Sequence, residues 1–393
     1  FTLQITVNRP QKTHQWPLLI KFHQYQRASG LPFSAATAHP VNFHATEALS
    51  MRAAVFHEPG APLAIEHVDD PSPAAGQVVI AVKRCGICGT DLHATEEHDG
   101  LLVPGTVMGH EFAGEIVEVG TQCPSDWKPG RKVTGLPSLS CGHCLPCQTG
   151  KPLQCESNII VGLQRSGGFA EYLALDTHNS ILLPDSVDWV EGALIEPLAV
   201  GLHAVNMSAN IRGKRVLILG AGPVGLAVSF WSRFMGAYHI TVTEPETIRR
   251  ESTMQFGADV GLASGAPEAV LPEIIKAAGG MPDVIFECVG VPGMLAEAIT
   301  YSRYGGEVVV VGFCARPDTL VPAAAVMKEL SVRFVVAYDK ADFDMIAGLM
   351  ARDKLDVTHM CTDTVGFDAF SQAFESLRTP NAHCKIMLDP GAT

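Results

Sequence analysis

The chain has 393 residues, 47% hydrophobic and 18% charged, enough apolar side chain for a large core and long enough for two domains. Its 41 acidic against 28 basic residues give a net charge of −13, which speaks against a nucleic acid or an anionic membrane as partner. No apolar run reaches the length that crosses a bilayer, and of eleven cysteines seven are scattered without framework spacing, which suits a reducing, cytoplasmic setting.

Residues 1–50 are an atypical leader. No Asp or Glu precedes Glu47, while Arg9, Lys12, Lys21 and Arg27 are present. An acid-poor basic stretch is compatible with a transit peptide; extra sequence ahead of a true start at Met51 is the simpler reading. Either way the leader is expected to lie outside the fold.

From Met51 the texture is β-rich. VVIAVKR from Val78, GEIVEVG over Gly114–Gly120 and GGFAEYLAL over Gly167–Leu175 read as short strands broken by Gly and Pro turns. Among them lie Cys85-Gly86-Ile87-Cys88-Gly89-Thr90-Asp91-Leu92-His93 and Gly109-His110-Glu111. Alone, Cys85-x-x-Cys88 would suit a redox dithiol, but no thioredoxin-like βαβ unit surrounds it. A lone His–Glu pair would suit an ordinary surface or core contact.

Next come Cys141, Cys144, Cys147 and Cys155 at the spacing C-x2-C-x2-C-x7-C. Four soft thiolates in so short a loop can close a tetrahedral zinc shell with no open position, which makes a structural site. Gly142, Pro146 and Gly150 supply the turns.

From about Val187, helical segments rich in Ala, Leu and Val alternate with short apolar runs. The runs are Val216–Leu219, Ile240–Val242, Val284–Phe286, Val308–Val311 and Phe334–Val336. Continuous apolarity means strands covered on both faces, hence a doubly wound parallel sheet in an α/β fold. Two helical segments, Asp342–Arg352 and Asp368–Leu377, and a strand, Lys385–Leu388, close the chain.

Gly220-Ala221-Gly222-Pro223-Val224-Gly225 follows the first of these strands and opens a helix with Val224, Val228, Trp231 and Met235 on one face. In such a G-x-G-x-x-G, Gly220 allows the tight turn, Gly222 admits a pyrophosphate and Gly225 permits close helix–strand packing. The phosphates would sit at the helix N-terminus. Glu244, nineteen residues beyond Gly225, is placed to accept the ribose hydroxyls and repel a 2′-phosphate, favouring NAD over NADP. Arg249 and Arg250 are the counter-signal, since guanidinium groups bind a 2′-phosphate.

Taken in order, CGICGTDLH, GHEFAGEIVEVG, the four-cysteine run, IEPLAVGLHA and GAGPVG resemble the zinc-dependent medium-chain alcohol dehydrogenases, notably their polyol, butanediol and threonine dehydrogenase branch. The resemblance runs from Met51 to about Pro390. It implies a β-rich, GroES-like catalytic domain, 51–196 plus 339–393, around a Rossmann NAD-binding domain, 197–338. It implies that Cys88 and His110 bind a catalytic zinc, with Glu196 standing where some relatives carry a third cysteine and Glu111 on or near the metal. It implies two Zn2+ per chain, a proton relay from Thr90 through the nicotinamide ribose to His93, and a homodimer or homotetramer.

The expected reaction is reversible hydride transfer to NAD from a secondary alcohol, diol, polyol or amino alcohol. A catalytically silent nucleotide-binding protein would require a broken metal set. A zinc-independent quinone or enoyl reductase of the same superfamily would lack both ligand sets. The residues present argue against each.

Overall fold

The computed structural model describes residues 50–96, 102–149, 151–352, 355–379 and 381–392. The expected leader therefore lies outside the described residues, except for Ser50, which opens the strand Ser50–Phe56.

The β-rich part is organised on Gln77–Gly86, ten residues that bury Val78, Val79, Ile80, Val82 and Cys85. It pairs antiparallel with Glu111–Val119, Tyr172–Asp176 and the C-terminal strand Lys385–Leu388. Lys132–Gly135, Ser180–Leu182 and Cys361–Val365 complete this seven-stranded sheet. Its core joins Ile80, Phe112, Ile116, Phe169, Phe370 and Phe374. The register slips twice along the pair with Glu111–Val119, between Val79 and Ile80 and between Val82 and Arg84. Each slip bends the strand, and beyond them Gly86 stands opposite Glu111. That register brings the CGIC segment and the His-Glu pair to one end of the sheet. The expected strand over Gly167–Leu175 begins only at Tyr172, because the amides of Gly167 and Gly168 are drawn to the carbonyls of Val107 and Gly109 instead.

The second sheet is parallel throughout. Its six strands lie in the order Val260–Leu262, His239–Thr243, Arg215–Leu219, Val284–Glu287, Glu307–Val310 and Ser331–Phe334. In chain order this is 3-2-1-4-5-6, the doubly wound arrangement with its switch point beside the first strand. One strand is unanticipated and one expectation shifts. Val260–Leu262 is too short to carry a pattern, and the last strand lies at Ser331–Phe334 rather than Phe334–Val336. As an edge strand it is exposed along its length, so continuous burial does not mark it.

Trp189–Met207 is a helix of 19 residues joining the two halves. Asp188 caps it, accepting from the Glu191 amide at 2.8 Å while Glu191 Oε2 accepts from the Asp188 amide at 2.8 Å, a reciprocal capping box. Near its start, a Cβ on Gly192 would meet Ala113 at 2.9 Å. Further on, a Cβ on Gly201 would stand 2.5 Å from Ala227, and Trp231 Nε1 donates to the Leu198 carbonyl at 2.9 Å. Apolar on nearly every side, it is buried nearly all round. The expected boundary between 196 and 197 falls inside it.

Candidate catalytic and nucleotide-binding site

Cys88 is the N-cap of a short helix, Gly89–Ala94, and Asp91 accepts from its amide at 3.0 Å. Thr90 is therefore within the helix and half-buried, while His93 one turn on is exposed. Gly109 has φ +96°, and a Cβ there would lie 2.6 Å from the Phe169 ring; this turn delivers His110 and Glu111 to the same place. Asp91 Oδ1 lies 3.1 Å from His110 Nδ1, leaving Nε2 as the ring's available ligand atom. Burial opposes a charged His110, but the negative charges of Asp91 and Cys88 outweigh it and hold the ring well above the usual histidine range.

Ligand atoms of Cys88, His110 and Glu111 all lie within 4.8 Å of one another. A soft thiolate, an imidazole and a carboxylate so close could share one Zn2+. Glu111 has a second partner that the sequence reading missed. Lys385, itself 1% exposed, stands 2.7 Å from Oε1 and 2.6 Å from Oε2, and donates to the Ile87 carbonyl at 2.9 Å. Burial works against the ammonium, yet Glu111 more than compensates, so Lys385 is held above the ordinary lysine range. Glu196 stands outside the group of three. It is 7% exposed and accepts from the Tyr338 hydroxyl at 2.6 Å. Burial, reinforced by the charge of Glu111, pushes its carboxyl up to about 7.

Cys141, Cys144, Cys147 and Cys155 form a second group whose sulfurs lie within 4.8 Å of one another. Amides already point at them, Cys141 N–H to Cys155 Sγ at 3.3 Å and Cys144 N–H to Cys141 Sγ at 3.4 Å. Backbone N–H groups of His143 and Cys144 lower the Cys141 thiol to about 6, readying it as a thiolate. Four sulfurs so close could close a tetrahedral shell around one Zn2+.

The glycine loop has the form its spacing implies. Gly220 has φ +93° and closes the turn, and Gly222 caps the helix Pro223–Phe234 with nothing within 4 Å of a would-be Cβ. A Cβ on Gly225 would stand 2.0 Å from the Gly220 carbonyl, so helix and strand touch there. Glu244 is buried at the end of the next strand, accepting from the Ala221 amide at 2.8 Å and the Glu246 amide at 3.1 Å. Arg249 is half-buried with Nε unpartnered, and Arg250 is turned to the Glu244 carbonyl at 2.8 Å. Val224 begins the loop's helix, partly buried against the core.

Comparison with known proteins agrees with this geometry. Residues 74–185 match the alcohol dehydrogenase GroES-like domain, and residues 223–352 the zinc-binding dehydrogenase domain. The (R,R)-butanediol dehydrogenase of Bacillus subtilis is 32% identical over 356 residues, covering 86% of this chain and 100% of the relative. The chain belongs to the zinc-dependent medium-chain alcohol dehydrogenases. An L-threonine 3-dehydrogenase of Saccharopolyspora erythraea is 32% identical over 345 residues, 86% of this chain and 99% of the relative. A zinc-binding dehydrogenase structure from Sinorhizobium meliloti, bound to NADP, superposes with TM-score 0.78 at 29% identity, covering 87% of this chain and 100% of that one. An Escherichia coli alcohol dehydrogenase complexed with NADH gives TM-score 0.79 at 27% identity, covering 86% and 99%. This dehydrogenase is thus a zinc-dependent alcohol oxidoreductase using NAD(P) on a small-molecule substrate. Among the described residues no helix is long and apolar enough to cross a membrane.

Proposed function

We propose that the chain is an NAD-dependent dehydrogenase of a secondary alcohol, diol, polyol or amino alcohol, carrying one catalytic and one structural Zn2+. The observation that carries this reading is the convergence of Cys88, His110 and Glu111 within 4.8 Å, from segments some twenty residues apart. Cys88, His110 and Glu196 hold the catalytic ion, Glu111 lies on or beside it, and Cys141, Cys144, Cys147 and Cys155 hold the other. The catalytic domain comprises 51–196 and 339–393, the nucleotide domain 197–338.

When bound, zinc polarises the substrate C–O bond as a Lewis acid and NAD accepts the hydride. Everything else falls to the protein. Gly220, Gly222, Val224 and Gly225 cradle the pyrophosphate, Glu244 receives the adenosine ribose hydroxyls, and Arg249 lines the same pocket. Thr90 Oγ1 would accept the substrate hydroxyl proton while giving up its own, which would pass through the ribose hydroxyls of a bound nicotinamide nucleotide to His93 and on to solvent. NADP is the second reading, favoured by the unpartnered Nε of Arg249.

The exposed edge strand Ser331–Phe334, with Val326, Met327, Phe334 and Val336 about 70% exposed around it, supports a homodimer or homotetramer. Eleven free thiols support a cytoplasmic setting.

The test is a screen of alcohols and ketones read by nicotinamide absorbance, with NAD and then NADP, on wild type and Cys88→Ser. The variant is expected to bind nucleotide and not turn over. Undiminished turnover would remove Cys88 from the site.

A further inference from the structure

The chain passes between its two sheets twice, through the helix Trp189–Met207 and again through residues 335–340. The second crossing leaves the edge strand at Val335, whose amide still donates to the Val310 carbonyl at 3.0 Å, and enters the helix Lys340–Met350. Between them Ala337 has φ 54°, left-handed backbone that a residue with a Cβ adopts only where its surroundings demand it. Its effect is on the next residue. Tyr338 turns inward to 2% exposure from beside Val336, which is 72% exposed. Its ring lies 5.0 Å from that of Phe343, and its hydroxyl donates to Glu196 Oε1 at 2.6 Å.

The rest of this crossing is fastened to the first through Asp342, and to the strand Ser180–Leu182 and the turn before it through Lys340. Asp342 accepts from the Asp339 amide at 2.9 Å, lies 3.6 Å from His203 Nδ1 and accepts from Asn206 at 3.4 Å. Lys340 Nζ donates to the carbonyls of His178 at 2.9 Å and Ser180 at 3.1 Å. Glu196 and His203 are seven positions apart, hence on one face of their helix. Of these fastenings, the Tyr338 hydroxyl is the one that reaches Glu196, the carboxylate that the zinc reading above makes a metal ligand.

We propose that Tyr338 is a positioning residue: its hydroxyl fixes the orientation in which Glu196 meets the catalytic metal, and makes that carboxylate follow the crossing between the domains. This rests on the zinc reading above. With Oε1 held by a short hydrogen bond, the carboxylate cannot spin, and its other oxygen keeps one direction. Groups that orient a metal ligand in this way shift metal affinity by about 10- to 100-fold.

The test is Tyr338→Phe, which keeps the ring beside Phe343 and removes only the donor. Co2+ alone is titrated into the metal-free full chain, read by visible absorption, with a thermal melt alongside. Wild type is expected to bind two ions. The variant is expected to melt with wild type, bind one of the two about tenfold more weakly, and show a shifted ligand-field band for that ion only. In a Glu196→Gln background, Tyr338→Phe is expected to add nothing. Equal affinities and spectra for wild type and Tyr338→Phe overturn the inference, as does an equal loss in both backgrounds. A wild-type chain that binds a single Co2+ removes the zinc reading first, and this inference with it.

Discussion

The carboxylate of Asp91, fully buried, serves Cys88 and His110 together: one oxygen accepts from the Cys88 amide at 3.0 Å and the other lies 3.1 Å from His110 Nδ1. One side chain therefore fixes both a helix cap and a ring orientation. Asp91→Asn keeps an acceptor for the cap and loses the negative charge facing the ring. Zinc affinity at this site is expected to fall about 10- to 100-fold, measured by competition with a chromophoric chelator. An unaltered affinity would mean that the ring needs no such support.

Two glycines of one loop separate binding from folding. A methyl group on Gly222 meets open space, whereas on Gly225 it meets the Gly220 carbonyl at 2.0 Å. Gly222→Ala is expected to leave the melting temperature near wild type and to weaken NAD binding, because the methyl fills the phosphate's approach. Gly225→Ala is expected to cost about 1–3 kcal/mol of stability by forcing helix from strand. Calorimetric titration and urea unfolding on the same two variants decide it; the reverse pattern would put the phosphate elsewhere.

Removing Lys385 leaves Glu111 as a buried charge without its ammonium. Lys385→Met is expected to lower stability by about 3–5 kcal/mol, and the further change Glu111→Gln to recover much of that. Denaturant melts of the metal-free single and double variants measure both. If the double variant is no better than the single, the ion pair is not what Lys385 supplies.

Asp283 joins the first strand of the parallel sheet to Arg303, accepting from the Arg215 amide at 2.9 Å and from Arg303 Nε at 2.6 Å. Burial alone would raise its pKa, but the Arg215 amide and the Arg303 guanidinium together hold it below the usual carboxylate range. The folded state therefore binds this proton less tightly than the unfolded chain, which titrates near about 3.9. The stability it contributes is complete above that value and lost as pH falls through the folded one. Asp283→Asn is expected to cost about 2 kcal/mol at neutral pH, with the gap closing in acid. A gap that stays constant down to pH 3 would contradict the assignment.

What could be read in advance was local. The four cysteines and the glycine loop lie within stretches short enough for spacing to dictate geometry, and their sulfurs and backbone sit as that spacing implies. The buried strands of the parallel sheet announced themselves by unbroken apolarity; Ser331–Phe334 did not, because an edge strand has no second neighbour to bury it. Lys385 and Tyr338 were invisible for another reason. Each meets its carboxylate across a large gap in sequence, and no pattern in the intervening residues encodes a pairing that tertiary packing alone creates. Asp91 sits between these cases. An acid three places after Cys88 is a capping signal, though cysteine is a rare cap and hides it.

The 274 residues separating Glu111 from Lys385 also impose an order on synthesis. A ribosome delivers the acid early and its counter-charge almost last, after the whole parallel sheet has emerged. A product terminated before Lys385 therefore cannot form this buried pair, and Glu111 lacks its ammonium wherever the sheet closes over it.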